Sequence, residues 1–200
     1  MKIEKVQNNM KPDIIFFCGP HCSGKTTILK TLYKEGLLNS WKFEIGKDLF
    51  YKRRLKTEIQ DANFEFEVSE LELKRDLEIA ENETGLVGIE TWHPGNLAYA
   101  MVRNAQIVPN LIEIMKTSPL IQEAHGIWLH IPAEVIFQRT KTFENDRAWA
   151  ADFYTKIENN LQYCLKELGL QDRIISIDSN RELTSVIEDV KSEIRNFKGR

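Results

Sequence analysis

Cysteine, long apolar runs and an excess of basic charge are all scarce or missing in this 200-residue sequence. It has three cysteines, Cys18, Cys22 and Cys164, and an odd number without framework spacing excludes a disulfide scaffold and favours reduced thiols. No apolar run approaches the roughly 20 residues of a membrane span. The formal net charge is −3, so no overall basic field attracts nucleic acid or an anionic membrane. We therefore expect a cytoplasmic protein without membrane association or stable nucleic-acid binding.

The length of the sequence points to one domain. Residues 1–11 are polar, lack the apolar region of a signal peptide and are expected to form a flexible arm. The sequence has no internal repeat and no low-complexity segment. Two hundred residues suit a single domain with a full core, so we assign residues 1–200 to one domain.

The chain is organised around residues 19–26, which read Gly-Pro-His-Cys-Ser-Gly-Lys-Thr. This is the G-x-x-x-x-G-K-T pattern of a phosphate-binding loop, in which glycines let backbone N–H groups converge on an anion. Lys25 is placed to reach the β- and γ-phosphates, and the Thr26 hydroxyl is placed to hold Mg²⁺. The apolar run 13–18 before the loop predicts a strand, and the apolar spacing after it predicts a helix. The sequence therefore predicts ATP–Mg²⁺ binding.

Predicted strands and helices alternate along the rest of the chain. Strands are expected near residues 13–18, 41–44, 85–90, 126–131 and 174–178. This pattern predicts an α/β fold of three layers, the P-loop NTPase fold, with a five-stranded parallel sheet flanked by helices. In such a sheet the phosphate loop and the ends of the other strands share the carboxyl edge.

Several local patterns give more detailed expectations. The alternation at 64–68 suggests a piece of strand, and Ser69 to Glu72 resembles a capping box that opens a helix. Residues 93–96 are expected to form a turn, followed by a helix from about residue 97 to 108 that Pro109 breaks or kinks. Residues 179–182 resemble a second capping box. Residues 45–84 are expected to form a mainly helical region on the acceptor side.

Carboxylates at strand ends are the first candidates for chemistry beside the loop. Glu90 ends a buried strand and is placed to hold Mg²⁺ through water or to orient an acceptor oxygen; the alternative is a carboxylate that caps the next turn. Glu44 ends the second strand and is assigned to the acceptor, with an exposed strand-end carboxylate as its alternative. Asn180, in the turn after the fifth strand, is expected to border the nucleotide.

Cationic side chains after the fourth strand form the second group. Arg139, Lys141 and Arg147 flank a polar loop, and we expect residues 140–148 to form a lid that closes over the γ-phosphate. Phosphoryl transfer depends mainly on charge neutralisation and alignment, and an arginine in this role contributes about 10³–10⁵ in rate. The alternative is a solvated charged surface.

Side chains next to the loop and after Glu90 complete the candidates. Trp92 and Tyr99 are assigned to the acceptor as aromatic rings that sandwich a base, with core packing as the alternative. The Cys22 thiol, near a helix N-terminus, is expected to have a lowered pKa. The residues assigned to the nucleotide are Gly19, His21, Cys22, Ser23, Gly24, Lys25, Thr26, Thr27, Arg139 and Asn180.

The order of these elements resembles the thymidylate kinase group of nucleoside and nucleotide kinases over roughly residues 13–195. The matching segments are the phosphate loop, Glu44-Ile45-Gly46, Glu90-Thr91-Trp92, Ala98-Tyr99-Ala100, Pro132-Ala133-Glu134 and Asp146-Arg147. The resemblance implies a kinase that uses ATP and Mg²⁺, with catalytic roles for Lys25, Glu90, Arg139 and Arg147. It also places Arg53 or Arg54 at the acceptor, where the group has an arginine for the acceptor phosphate.

Two positions depart from the group's pattern. Thr91 replaces an arginine that binds the acceptor phosphate, and Ala100 replaces a glutamine that reads a pyrimidine. A methyl group cannot pair with a base edge, so the acceptor is not identified as thymidylate.

Two functions remain open. One is a kinase whose partners are ATP and a small acceptor, such as a nucleoside or nucleoside monophosphate, with a homodimer also open. The other is a P-loop switch or ATPase-like module without acceptor chemistry. The absence of an Asn-Lys-x-Asp motif argues against a GTPase, and the absence of a Leu-Ser-Gly-Gly signature argues against a transporter ATPase.

Overall fold

Five parallel strands form a single sheet at the centre of the protein. A computed structural model describes residues 11–53, 61–140 and 147–198. The strand order is β2-β3-β1-β4-β5, and every neighbouring pair is parallel, as predicted. The strands are β1 (Asp13–Cys18), β2 (Ser40–Lys42), β3 (Leu86–Glu90), β4 (His125–His130) and β5 (Ile174–Asp178).

Helices cover both faces of this sheet, which gives the expected three layers. They are α1 (Lys25–Lys34), α2 (Ile45–Lys52), α3 (Ala62–Asn82), α4 (Trp92–Arg103), α5 (Val108–Met115), α6 (Ala133–Arg139), α7 (Arg147–Glu167) and α8 (Leu183–Lys198). One core packs α3, α4, α5 and α7 against the sheet, and a second core packs α1 and α8. No helix in the described ranges is long and apolar enough to cross a membrane.

The register of the central strands determines where the site lies. From Ile14 to Cys18, β1 is buried on both faces, as its unbroken apolar run predicts. Phe17 pairs with Glu90 on β3, and Cys18 pairs with Trp128 on β4. The carboxyl ends of the three strands therefore lie side by side, and the loop after β1 starts at that edge.

The segment around Phe64–Val68 is helical, so the expected strand piece there is wrong. Helix α3 begins at Ala62, and the Asp61 side chain caps it by accepting a hydrogen bond from the Asn63 backbone N–H at 3.0 Å. Ser69 lies inside this helix, so the capping box expected at Ser69 to Glu72 does not begin a helix. The alternation at residues 64–68 was misleading because α3 buries both apolar and acidic side chains. The helix therefore lacks a simple apolar stripe in its sequence.

The turn expected at residues 93–96 is also wrong, because these residues belong to α4. The chain turns at Thr91 and Trp92, which have positive φ values of 66° and 52°. The helix breaks at Asn104, not at Pro109; a 3₁₀ turn at Ala105–Ile107 follows, and Pro109 sits in the first turn of α5.

The second capping box does not form either. The Ser179 hydroxyl donates to the His130 carbonyl at 3.1 Å, and α8 begins only at Leu183. Most of the expected lid, together with Lys141, Asp146 and the candidate Arg54, lies outside the described residues.

The cap on α3 generates a stability prediction. Replacing Asp61 with alanine removes the acceptor for the Asn63 N–H and should lower the free energy of unfolding by about 1 kcal/mol. Asp61→Asn keeps a good capping side chain and serves as the matched control. Urea unfolding measures both variants. Equal losses in the two, or none in Asp61→Ala, would contradict this start of α3.

Candidate active site

A cavity of about 320 Å³ opens at the carboxyl edge of the sheet. It lies between the phosphate loop and helices α2, α3, α4 and α7. The side chains and backbone that line it are His21, Cys22, Gly24, Lys25, Thr26, Thr27, Glu44, Gly46, Lys47, Phe50, Tyr51, Glu65, Val68, Glu90, Asn96, Tyr99, Arg103 and Tyr154. Six residues assigned to the nucleotide and two assigned to the acceptor therefore face one space.

The backbone of the phosphate loop requires glycine at both ends. Gly19 has φ 133°, and a Cβ atom there would lie 2.1 Å from the Leu129 carbonyl oxygen on β4. Gly24 has φ 98° and immediately precedes α1. Only glycine fits these conformations without strain, and the curled loop presents the start of α1 to the cavity.

Two polar side chains of the loop are suited to a bound phosphate. The Lys25 ammonium is buried and donates to the carbonyls of Gly19 and Pro20, both at 2.8 Å. The Ser23 hydroxyl oxygen is buried without a hydrogen-bond partner among the described residues. An unpartnered polar atom beside a lysine and a helix N-terminus is what a triphosphate would satisfy.

Thr26 and Glu90 are the oxygen groups that could hold Mg²⁺. The Thr26 hydroxyl donates to Glu90 Oε1, which joins the loop after β1 to the end of β3. The described residues contain no cluster of three or more His, Cys, Asp or Glu side chains suited to a metal ion. A hydroxyl and one carboxylate fit Mg²⁺, which commonly combines few protein ligands with phosphate oxygens and water.

Glu44 lies next to this pair, at the position that precedes α2. Its Oε2 accepts a hydrogen bond from the Thr91 hydroxyl at 2.8 Å. Burial raises the pKa of Glu44, and the nearby Glu90 raises it further, against the lowering effect of Lys25 and the Thr91 hydroxyl. A carboxylate with a raised pKa near the phosphate loop is a candidate general base.

The far end of the cavity carries an ion pair between aromatic rings. Arg103 Nε lies 2.7 Å from Glu65 Oε1, and the guanidinium stands 5.1 Å from the Tyr99 ring centre and 5.3 Å from that of Phe64. Asn96 lines the same wall and donates to Glu72 at 3.1 Å. This end offers both charged hydrogen-bonding groups and flat apolar surface.

His21 and Cys22, in the middle of the loop, also line the cavity. The His21 ring stacks on Tyr154, with ring centres 5.0 Å apart. Burial lowers the pKa of His21 to about 4, and Lys25 and Lys47 add to the effect. Burial raises the pKa of the Cys22 thiol, which outweighs the lowering effect of Lys25, Lys47 and Arg139; the expected lowered value is wrong.

Trp92, Arg53 and Asn180 lie outside the cavity. Trp92 is fully buried in the core, where its Nε1–H points to Asp76, so the assigned contact with an acceptor does not fit its position. Arg53 is exposed and pairs with Glu67. Asn180 is exposed, and its backbone N–H is bonded to Asp178.

The two arginines assigned to the lid have different surroundings. Arg139 is at the rim of the loop, with Nη1 3.5 Å from the Cys22 carbonyl and 3.4 Å from the Ser179 carbonyl. Arg147 is the first residue of α7, and its Nε is buried without a hydrogen-bond partner in the described part of the chain. Neither lines the cavity.

Half of the residues that line the cavity were not predicted from the sequence. The missed residues are Gly46, Lys47, Phe50, Tyr51, Glu65, Val68, Asn96, Arg103 and Tyr154. Two groups had a usable signal: Lys47, Phe50 and Tyr51 share one face of α2, and Asn96, Tyr99 and Arg103 share one face of α4. Glu65 and Val68 were not recognised because a strand was expected there. Tyr154 belongs to α7, which lies far from the loop in the sequence.

One of the two departures from the kinase pattern, Ala100, does not affect the cavity. Ala100 is fully buried in the core, so its side chain does not face the cavity. Asn96 and Tyr99 lie on the cavity side of the same helix. Any reading of an acceptor base would therefore fall to those residues and Arg103.

Comparisons with known proteins identify solved structures that share this fold. No protein-family model matches the chain, and no curated protein matches its sequence. Among solved structures, thymidylate kinase from Candida albicans superimposes with a TM-score of 0.72 at 15% identity, over 94% of this chain and 93% of that one. Deoxyadenosine kinase from M. mycoides, with dCMP and dCDP bound, gives 0.66 at 13% identity, over 92% and 99%. A NadR protein in complex with NR gives 0.73 at 14% identity, and the match covers 94% of this chain and 52% of NadR.

The chain therefore has the fold of P-loop nucleoside and nucleotide kinases, as the sequence predicts. At these identities the likeness defines the fold alone. A fold alone does not specify a reaction, so the residues of the cavity decide what the site can do.

The buried His21 ring generates a pH-dependent prediction. Its folded pKa of about 4 lies below the usual 6.5, so below pH 6.5 the unfolded chain takes up a proton that the folded chain does not. Its contribution to stability is complete above pH 6.5 and is lost as the pH falls towards 4. His21→Phe keeps a ring on Tyr154 and removes this loss. Urea unfolding of both proteins at pH 7.5, 6 and 5 measures it, and a constant difference in unfolding free energy would contradict the burial of a neutral imidazole.

Proposed function

We propose that this protein is an ATP- and Mg²⁺-dependent kinase that transfers the γ-phosphate to a hydroxyl group of a small, nucleoside-type acceptor. The observation that carries this proposal is the convergence of Lys25, Thr26, Glu90 and Glu44 on one cavity. The first two belong to the phosphate loop, and the last two are carboxylates at the same end. ATP binding alone would not require a second carboxylate there.

The donor half consists of the loop and the groups around it. Backbone N–H groups at the start of α1 and the Lys25 ammonium would bind the β- and γ-phosphates. Thr26 and Glu90 would hold Mg²⁺, which neutralises charge on the transferring group when it is bound. Arg139, at the rim of the loop, and Arg147, at the start of α7, would approach the phosphates from the lid side.

The acceptor half is where Glu44 acts. With Oε2 engaged by the Thr91 hydroxyl, Oε1 is left to accept a hydrogen bond from an acceptor hydroxyl. As the acceptor oxygen bonds to the γ-phosphorus, the bond to the β-phosphate oxygen breaks, ADP leaves, and the hydroxyl proton passes to Glu44. The base of the acceptor would lie against Tyr99 and Tyr154, within reach of Asn96 and Arg103.

The charges at this end support a hydroxyl acceptor over a phosphate acceptor. Burial is the main cause of the raised pKa of Glu44, and the negative charge of the nearby Glu90 adds to it. A phosphate dianion placed between them would be repelled, whereas a neutral hydroxyl would be held by Glu44. Arg103, a cation in the lining, is already paired with Glu65.

A panel of acceptors tests the reaction. Purified protein with ATP–Mg²⁺ should release ADP in response to at least one nucleoside and more slowly with the matching monophosphate. Lys25→Ala should abolish this release, because the lysine bridges the loop to the transferring phosphates. Tight ATP binding without stimulation by any acceptor would instead favour the alternative, a P-loop switch or ATPase-like module. Faster turnover of the monophosphate would overturn the hydroxyl assignment.

Glu44→Gln tests the general base. The amide keeps the shape of the side chain but accepts no proton, so kcat should fall by about 10²–10⁴-fold while ATP binding is retained. In the wild type, kcat/KM for the acceptor should decline on acidification as Glu44 becomes protonated, at a pH above the usual glutamate range because its pKa is raised. The residual rate of the variant should lack that decline. An unchanged kcat, or the same pH profile, would remove Glu44 from this role.

A further inference from the structure

The turn that joins β3 to α4 has a backbone conformation that is unfavourable for its residues. Thr91 has φ 66° and ψ −60°, and the next residue, Trp92, also has a positive φ. A β-branched residue rarely adopts such a conformation, and two adjacent positive values are rarer still. The surrounding structure must hold this turn in place.

This strained turn positions both carboxylates of the proposed reaction. Glu90 immediately precedes it and contacts the Thr26 hydroxyl. The Thr91 N–H donates to the Phe17 carbonyl at 2.8 Å, and the Thr91 hydroxyl donates to Glu44 at 2.8 Å. A relaxed turn would move the Thr91 hydroxyl and release Glu44.

Asp76 contacts the residues of this turn from outside the cavity. This side chain on α3 is fully buried and lies outside the cavity. Its carboxylate accepts hydrogen bonds from the Trp92 indole at 3.1 Å, His93 Nε2 at 2.8 Å and the Ser118 hydroxyl at 2.6 Å. Two of these donors follow Thr91 directly, so the carboxylate clamps the first turn of α4.

The neighbouring turn of α3 supports Glu44 from its other side. Arg75 donates to the Phe43 carbonyl at 3.0 Å, one residue before Glu44, and also pairs with the buried Glu72. Glu72 in turn accepts from Asn96 on the cavity wall. Helix α3 thus contacts the chain on both sides of the Thr91–Glu44 hydrogen bond, the Phe43 carbonyl through Arg75 and the side chains that follow Thr91 through Asp76.

We propose that Asp76 is a positioning residue for phosphoryl transfer, acting through the strained turn and the Thr91–Glu44 hydrogen bond. This role depends on the kinase function proposed above. It explains why α3 buries an acidic side chain against the start of α4, where an apolar residue would fill the space without needing three donors.

Asp76→Asn tests the role, because an amide has one acceptor oxygen and cannot satisfy Trp92, His93 and Ser118 together. With the nucleoside that the wild type uses best, kcat should fall by about 10- to 100-fold, since small misplacement of reacting groups has effects of this size. The KM for ATP should change little. Ser69→Ala is the matched control: Ser69 is a fully buried polar residue on α3 whose hydroxyl has no partner among the described residues, so kcat should not change.

A double-mutant cycle separates positioning from general damage to the fold. Thr91→Val preserves the shape and removes the hydroxyl that Glu44 accepts from. If Asp76 acts through that hydroxyl, Asp76→Asn should lower kcat less than about threefold further in the Thr91→Val protein. If the fold-losses in kcat of the two single variants multiply fully in the double variant, Asp76 has a merely structural role and the proposal is overturned.

Hydrogen exchange provides a readout that needs no activity. Asp76→Asn should speed amide exchange in the peptide that spans residues 91–96, relative to both wild type and Ser69→Ala, while α7 is unchanged. Should Asp76→Asn fail to fold, Trp92→Phe removes one donor to the carboxylate and should show the same effects more weakly. Unchanged exchange and unchanged kcat would refute the positioning role. A wild type with no acceptor-dependent turnover, but with the exchange effect present, would refute the proposed function and leave the clamp intact.

Discussion

The contact between the Thr26 hydroxyl and Glu90 joins the phosphate loop to the next strand of the sheet, and the geometry of the candidate site follows from it. Parallel pairing brings the ends of β1 and β3 together, so the loop and the carboxylate meet without a long connection. The turn after Glu90 then brings Thr91 to Glu44 at 2.8 Å. The proposed donor and acceptor halves are thereby linked through two hydroxyl–carboxylate hydrogen bonds.

Buried charge distinguishes this site from ordinary core packing. Glu44 has a raised pKa, Glu65 is paired with Arg103, and Asp76 is surrounded by three donors. Each such group costs free energy when it leaves water, and a partner recovers only part of that cost. Their concentration between α3, α4 and the loop marks the part of the molecule where function competes with stability.

Much of the fold could be predicted from the sequence, because the signals were local. The loop needs glycine at positions 19 and 24, and apolar runs specify the central strands β1, β3 and β4. The start of α3 and the turn at Thr91 could not be predicted in this way. The first carries acidic residues on its buried face, and the second places non-glycine residues at positive φ; both depend on tertiary partners. Trp92 was assigned to the acceptor from its neighbours in sequence, although burial directs it to Asp76.

In the proposed reaction, the γ-phosphate passes to a hydroxyl-bearing acceptor and not to water. The fate of the label in [γ-³²P]ATP distinguishes the two outcomes, once the products are separated after incubation with each nucleoside. The wild type should form labelled nucleoside monophosphate, and Lys25→Ala should not. Label that appears only as inorganic phosphate, at a rate independent of every acceptor, would contradict it.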